Sequence, residues 1–212
     1  MTGLTLFDYW RSSASYRVRI ALNLKGVAYD RVDVSLIDGA QRASENLARN
    51  PQGFVPTLEI DGLQLTQSLA IMDYLDAKFR AAPFVSKDPA RRAKTLAQAL
   101  TIAADIHPIN NLRILHYLKD PLGLDQAARD DWYRHWVAEG FRALEVMAQD
   151  AGDFFGGAHP DLADICLVPQ MYNARRLAMA LDAYPALVRI DAACQALPAF
   201  ADAHPDRFAP VG

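Results

Sequence analysis

Residues 55–68 read Val55-Pro56-Thr57-Leu58-Glu59-Ile60-Asp61-Gly62-Leu63-Gln64-Leu65-Thr66-Gln67-Ser68. Leu58 and Ile60 face one way and Thr57 and Glu59 the other, the alternation of a half-buried strand. Asp61-Gly62 is the strongest two-residue hairpin signal, because both central residues of the tight turn need positive φ. Leu63 and Leu65 continue the alternation on the returning strand. Ser68 then stands where it can cap a helix whose inner face is Ile71, Leu75 and Phe79. The stretch is therefore strand, turn, strand, helix, with the two strands antiparallel.

Upstream, Leu4 to Asp8 has a strand's length and apolarity, and Ser15 to Lys25 follows a helical period through Val18, Ala21 and Leu22. Gly26 suits a helix C-terminus. Tyr29 to Val34 alternates as a second strand, and a weaker polar helix is expected over 40–49. A strand, helix, strand unit implies a parallel pair, so joining it to the hairpin predicts a mixed four-stranded sheet. Val55-Pro56 opens the third strand, a place where proline is tolerated at a sheet edge. Two prolines within 81–89 read as a linker. Beyond it only 3.6-type periodicity survives, over 90–118, 125–149, 162–181 and 187–197, and Asp161 to Asp164 has the form of a capping box. The expected organisation is an α/β domain over 1–82 and an all-helical domain over 90–212.

The composition excludes several classes of function. With 51% hydrophobic and 22% charged residues, the 212-residue chain can bury a real core. A net charge of −3 argues against a general nucleic-acid binder, which needs a basic surface. No stretch approaches the roughly 18 unbroken apolar residues of a membrane span, and the first residues lack the pattern of a secretory signal. Two cysteines, Cys166 and Cys194, are too few for a disulfide framework. None of the five histidines pairs at i, i+4 as helical zinc ligands do. The expectation is a cytoplasmic, reduced, metal-free protein.

The first strand hands over to the first helix through Trp10-Arg11-Ser12-Ser13-Ala14-Ser15. Three hydroxyls at a helix N-terminus suit an anion or a thiolate, because the free N–H groups and the dipole favour negative charge there. Serine is equally a good N-cap. Gln67-Ser68 marks a second helix N-terminus able to hold a carboxylate.

Taken together these stretches resemble the soluble glutathione transferase superfamily over nearly the whole chain. Arg11-Ser12-Ser13-Ala14-Ser15-Tyr16-Arg17-Val18-Arg19-Ile20-Ala21-Leu22 is similar to the signature of the zeta class, which includes isomerases of maleylacetoacetate and maleylpyruvate. Asp105-Ile106-His107-Pro108-Ile109-Asn110-Asn111 and Leu162-Ala163-Asp164-Ile165-Cys166-Leu167-Val168-Pro169-Gln170 also look like stretches of bacterial members. The resemblance implies a thioredoxin-like domain followed by a helical domain, a homodimer, an active site between the domains, and glutathione as the cofactor. It implies a cis Val55-Pro56 bond, and glutathione contacts at Val55, Pro56, Gln67 and Ser68. Ser12 matches the donor to the sulfur, with Ser13 as second choice or as the cap.

The implied activity is cis–trans isomerisation of a maleyl dicarboxylate by reversible addition of the glutathione thiolate. Arginine pairs bidentately with carboxylates, and Arg11, Arg113 and Arg176 match substrate-side positions. Arg175 is read as structural, and Arg17 and Arg19 as packing or ion-pair residues. His107 and Asn111, spaced as one helical turn, are expected on a shared face toward glutathione or substrate, with a packed neutral histidine as the rival. Asp105 is expected at the amino end of glutathione. The chain departs from the class at Ala14, where most members carry cysteine, so no protein thiol serves at that point. Two other readings are a detoxifying transferase, which shares Ser12 without needing three arginines, and a non-catalytic binding protein, which expects a lost serine cluster or Gln-Ser pair.

Overall fold

The structure is a computed structural model and describes residues 3–210. The backbone falls into two compact units. One takes in the chain up to Pro83 and again from Leu197 onward; the other is Phe84–Ala196.

The first unit runs β1 (Thr5–Asp8), α1 (Ser13–Leu24), β2 (Asp30–Asp33), α2 (Ser44–Arg49), β3 (Thr57–Ile60), β4 (Leu63–Thr66) and α3 (Ser68–Lys78). The sheet order is β2-β1-β3-β4, with β1 and β2 parallel and the other pairs antiparallel. This is the expected mixed sheet. Asp61 and Gly62 both have positive φ, 54° and 74°, as a tight two-residue hairpin requires. Leu6 and Leu58 of the sheet, Val18 and Leu22 of α1, and Ile71 and Leu75 of α3 are all wholly buried. Each such side chain contributes about 1.5–3 kcal/mol of burial.

Three local expectations are corrected. Pro56 does not open an edge strand, because β3 lies inside the sheet. It is accommodated because the ladder begins one residue later, at Thr57, so no paired N–H is missing. Ser68 is the first helical residue of α3, not its cap; Gln67 holds that place. The polar helix over 40–49 is two pieces, a 3-10 turn at Ala40–Arg42 and then α2, parted by extended Ala43.

The second unit contains α4 (Pro89–Leu100), α5 (His107–Ile109), α6 (Leu112–Lys119), α7 (Gln126–Met147), α8 (Leu162–Arg176) and α9 (Pro185–Gln195). The expected helix over 90–118 is therefore broken. Thr101–Ile106 is a π-helical turn in which His107 N–H reaches back to Ile102 C=O. Pro108 follows directly; it has no N–H, and its ring would crowd the carbonyl four residues back in a regular helix, so a wider turn relieves it. Gly140 of α7 lies against this turn, where an added Cβ would sit 2.2 Å from Ile106 Cδ1. The capping box at α8 is present, with Asp161 and Asp164 each accepting from the other end of the first turn.

The chain from Leu197 falls within the helical domain expected over 90–212. It returns instead to the first unit, through α10 (Pro198–Ala201) and a 3-10 turn at Pro205–Arg207. Asn23 of α1 donates to Ala199 C=O at 2.9 Å. Among the described residues, no helix is long and apolar enough to cross a membrane, and no cluster of three His, Cys, Asp or Glu is placed to hold a metal.

Candidate active site

The register of the sheet assembles the first unit's candidates. Phe7 of β1 pairs with Thr57 of β3, which pairs with Thr66 of β4. These three residues form one row at one end of the sheet. Just beyond that row the chain leaves β1 toward Ser12, enters β3 from Val55-Pro56, and leaves β4 into Gln67-Ser68. Three sequence-distant segments are thereby brought to one place by strand pairing alone.

At the first segment, Ser12 N–H donates to Tyr9 C=O at 3.0 Å and closes a tight turn. Ser12 is the N-cap of α1, and its Oγ accepts from Ser15 N–H at 3.3 Å. Ser13, expected as the alternative cap, is instead the buried first residue of the helix. The capping role and the donor role of Ser12 are compatible. A hydroxyl has two acceptor lone pairs and one proton, so accepting from Ser15 leaves the proton free to be donated. The first turn of α1 carries no acidic residue to offset the positive end of its dipole. A thiolate beside this end would meet a hydroxyl donor and a favourable field, the two influences that lower a thiol's pKa. Arg11 is exposed in the same turn, its guanidinium 5.5 Å from the Trp10 ring centre.

At the second segment the Val55-Pro56 bond is cis, as the family resemblance implied. Pro56 is buried and Val55 half-buried. At the third, Gln67 has φ 65° and ψ 114°. Positive φ in a residue with a Cβ costs on the order of 1–3 kcal/mol and persists where the surroundings enforce it, often at functional sites. Gln67 spends no side-chain bond on capping α3; its Nε2 donates to Gln52 Oε1 at 2.7 Å. Buried Arg17 of α1 donates from Nη1 to Ser68 Oγ at 3.4 Å. The N-terminus of α3 thus combines helix N–H groups, a serine hydroxyl and a nearby guanidinium, a donor set suited to a carboxylate. Gln52 and Arg17 were missed as site neighbours. Arg17 had a signal: an arginine within the buried face of an apolar helix needs a polar partner.

The remaining candidates lie in the second unit. Asp105 is exposed on the π turn and His107 is half-buried at the start of α5. Asn111 does not share a helix face with His107, because the helix ends between them. Asn110 is non-helical and Asn111 is extended, with its Oδ1 capping α6 by accepting from Arg113 and Ile114 N–H. Arg113 is exposed in the first turn of α6. Arg176 is exposed in the last turn of α8, donating to Asn173 Oδ1 at 3.2 Å. Arg175 instead pairs with the buried carboxylate of Asp191 at 2.6 Å, the structural role expected of it. Cys166 and Cys194 are both buried on helices of this unit. Burial and neighbouring carboxylates, Asp164 first among them, push the Cys194 thiol far up, which makes it a poor nucleophile.

Residues 2–77 match the family of the glutathione S-transferase N-terminal domain. A maleylacetoacetate isomerase from Rhizobium meliloti is 49% identical over 207 residues, covering 97% of each chain. The fold is similar to the holo structure of a maleylpyruvate isomerase described as a bacterial zeta-class glutathione S-transferase. The TM-score is 0.93 at 40% identity, over 95% of this chain and 96% of that one. It matches equally, at TM-score 0.93 and 38% identity, a maleylacetoacetate isomerase from Methylobacterium extorquens AM1 with bound malonate and glutathione. That likeness covers 98% of this chain and 100% of the other.

Proposed function

Because this chain belongs to the zeta-class glutathione transferases, the family of the maleylacetoacetate and maleylpyruvate isomerases, we propose that it is a glutathione-dependent cis–trans isomerase of a maleyl dicarboxylate. The observation that carries the reading is the row Phe7, Thr57 and Thr66, which sets Ser12, Val55-Pro56 and Gln67-Ser68 at one sheet end. Glutathione supplies the thiolate that adds to the cis double bond and leaves again after rotation. The chain's own residues bind and orient. Ser12 Oγ donates to the sulfur, with Ser13 behind it as the first residue of α1. The α3 N-terminus at Gln67 and Ser68 holds the γ-glutamyl carboxylate, and the backbone at Val55-Pro56 lines the peptide.

We assign Arg11, Arg113 and Arg176 to the substrate carboxylates, and Asp105, His107 and Asn111 to glutathione contacts. Each of these six has a polar or charged group on an exposed or half-buried side chain. Asn111 Oδ1 is already engaged as a cap, so its remaining amide donors are the groups it offers. Ala14 supplies no thiol, so the thiol of the reaction belongs to glutathione. A homodimer in the reducing cytoplasm completes the proposal; Cys166 and Cys194, buried and not joined in a disulfide, suit that compartment.

A ligand-stability experiment tests the cofactor part. Glutathione at 100 times its dissociation constant should add about 2.7 kcal/mol. At roughly 2–4 °C per kcal/mol this raises the melting point by about 5–10 °C. An unchanged melting point, with no retention on immobilised glutathione, would defeat the reading.

A further inference from the structure

Arg19 lies on α1 and its side chain is wholly buried. One guanidinium makes three bonds to three separate parts of the first unit. Nη1 binds Asp8 Oδ2 at 2.5 Å, Nη2 donates to Trp10 C=O at 2.9 Å, and Nε donates to Ala203 C=O at 3.1 Å. Asp8 ends β1, Trp10 lies in the turn closed by Ser12, and Ala203 lies in the returning C-terminal segment. That segment is held further along its length. Phe208 lies beneath two cations, with Arg19 4.8 Å and Arg31 5.2 Å from its ring centre. His204 meets Tyr16 edge-on at 6.0 Å. Arg31 in turn binds Asp8 Oδ1 at 2.5 Å and so closes the cluster.

The geometry has a direct consequence for Ser12. The Tyr9–Ser12 turn is closed by the bond from Ser12 N–H to Tyr9 C=O, and the Trp10 carbonyl within it is held by Arg19 from outside the turn. Arginine is suited to this, because its planar fork satisfies several acceptors at once in fixed directions. A buried guanidinium without its partners is costly, so the three contacts support one another. We propose that Arg19 is a positioning residue for the Trp10–Ser12 turn, and that the C-terminal segment from Ala203 to Phe208 holds Arg19 in place. The proposal rests on the reading of Ser12 as the donor to the glutathione sulfur. It gives the returning segment a function that its distance in sequence from Ser12 conceals.

The test compares backbone amide exchange in Tyr9–Ser15 and glutathione affinity in the wild type, in Phe208→Ala and in a chain ending at Asp202. Phe208→Ala keeps every hydrogen bond of Arg19 and removes only the ring. It should speed exchange in the turn about two- to fivefold, the scale of the Arg19 contact, which is the one of the ring's two cation–π contacts that bears on the turn. Exchange in β3 and β4 should stay unchanged. The shortened chain also loses the Ala203 carbonyl and should exchange faster still. Glutathione affinity should fall and the pKa of the bound thiol should rise in the same order, and Phe208→Trp should restore both. Unchanged exchange in the turn, or exchange that rises equally in β3 and β4, would show that the segment serves stability alone and would overturn the proposal. Exchange needs no ligand, so the tether is judged on it even if the wild type fails to bind glutathione. That second failure would count against the functional reading instead.

Discussion

Ser12 carries two duties that substitutions can separate. Its Oγ caps α1 by accepting from Ser15 N–H, and its proton is assigned to the glutathione sulfur. Ser12→Ala removes both. The cap is worth about 1 kcal/mol, and one donor to a developing anion is worth on the order of 10²-fold in rate. Ser12→Asp restores an acceptor for the cap but offers no proton at neutral pH and adds a charge that repels a thiolate. Melting points and ultraviolet titration of the bound thiol should therefore diverge, with Asp recovering stability but not the lowered thiol pKa. If Ser13→Ala shifts the thiol curve and Ser12→Ala does not, the two serines have exchanged roles. Arg11 and Arg176 call for a different contrast. Replacing either with glutamine should leave glutathione affinity nearly intact. It should lower kcat/KM on a dicarboxylate cis-enone by about 10- to 100-fold, the loss of one charge-assisted bond. Conjugation of a neutral aromatic halide should change far less. A parallel fall in both activities would mean that these arginines serve the glutathione site or the fold.

At the scale of elements, the start of α8 shows how a buried cap responds to pH. Asp164 accepts from the backbone N–H groups of Phe155, Gly156 and Asp161. Burial, and then the nearby Asp161 carboxylate, push its pKa from 3.8 up to about 7, although the three N–H donors pull the other way. The folded protein therefore holds a proton that the unfolded chain has already released between those values. The stabilisation from this group is complete below pH 3.8 and fades as pH rises through about 7, by at most about 1.4 kcal/mol per pH unit. Asp164→Asn cannot titrate. The stability of the wild type relative to the variant should be greatest at the acid end and fall steadily from pH 4 to pH 8, as urea melts across that range would show. Parallel curves would contradict the assignment. Elements with local causes were legible in the sequence: the hairpin from Asp61-Gly62, and this capping box from Asp161 and Asp164. The break at Asn110 was not, because apolar spacing of 3.6 continues across it. Pro108 and the paired asparagines were its only marks.

At the scale of the whole molecule, the sheet was readable because each strand pair had a local or topological cause. The gathering of Ser12, Val55-Pro56 and Gln67-Ser68 was implied by resemblance and is explained by register. The strained backbone of Gln67 and its bond to Gln52 had no trace in residue pattern, because both depend on groups fifteen residues apart meeting in space. The return of the chain from Leu197 to the first unit was equally hidden, since helical periodicity does not say which unit a helix packs on. The reading that joins these parts is that the protein borrows a thiol, uses it to isomerise a dicarboxylate, and gives it back. The most direct measurement incubates the wild type with maleylacetoacetate or maleylpyruvate and glutathione, and follows both the trans product and the free thiol. The expected result is many turnovers to the trans isomer with the thiol undiminished, and none when S-methylglutathione replaces glutathione. Stoichiometric loss of thiol into a stable conjugate, without trans product, would contradict the account and identify a conjugating transferase.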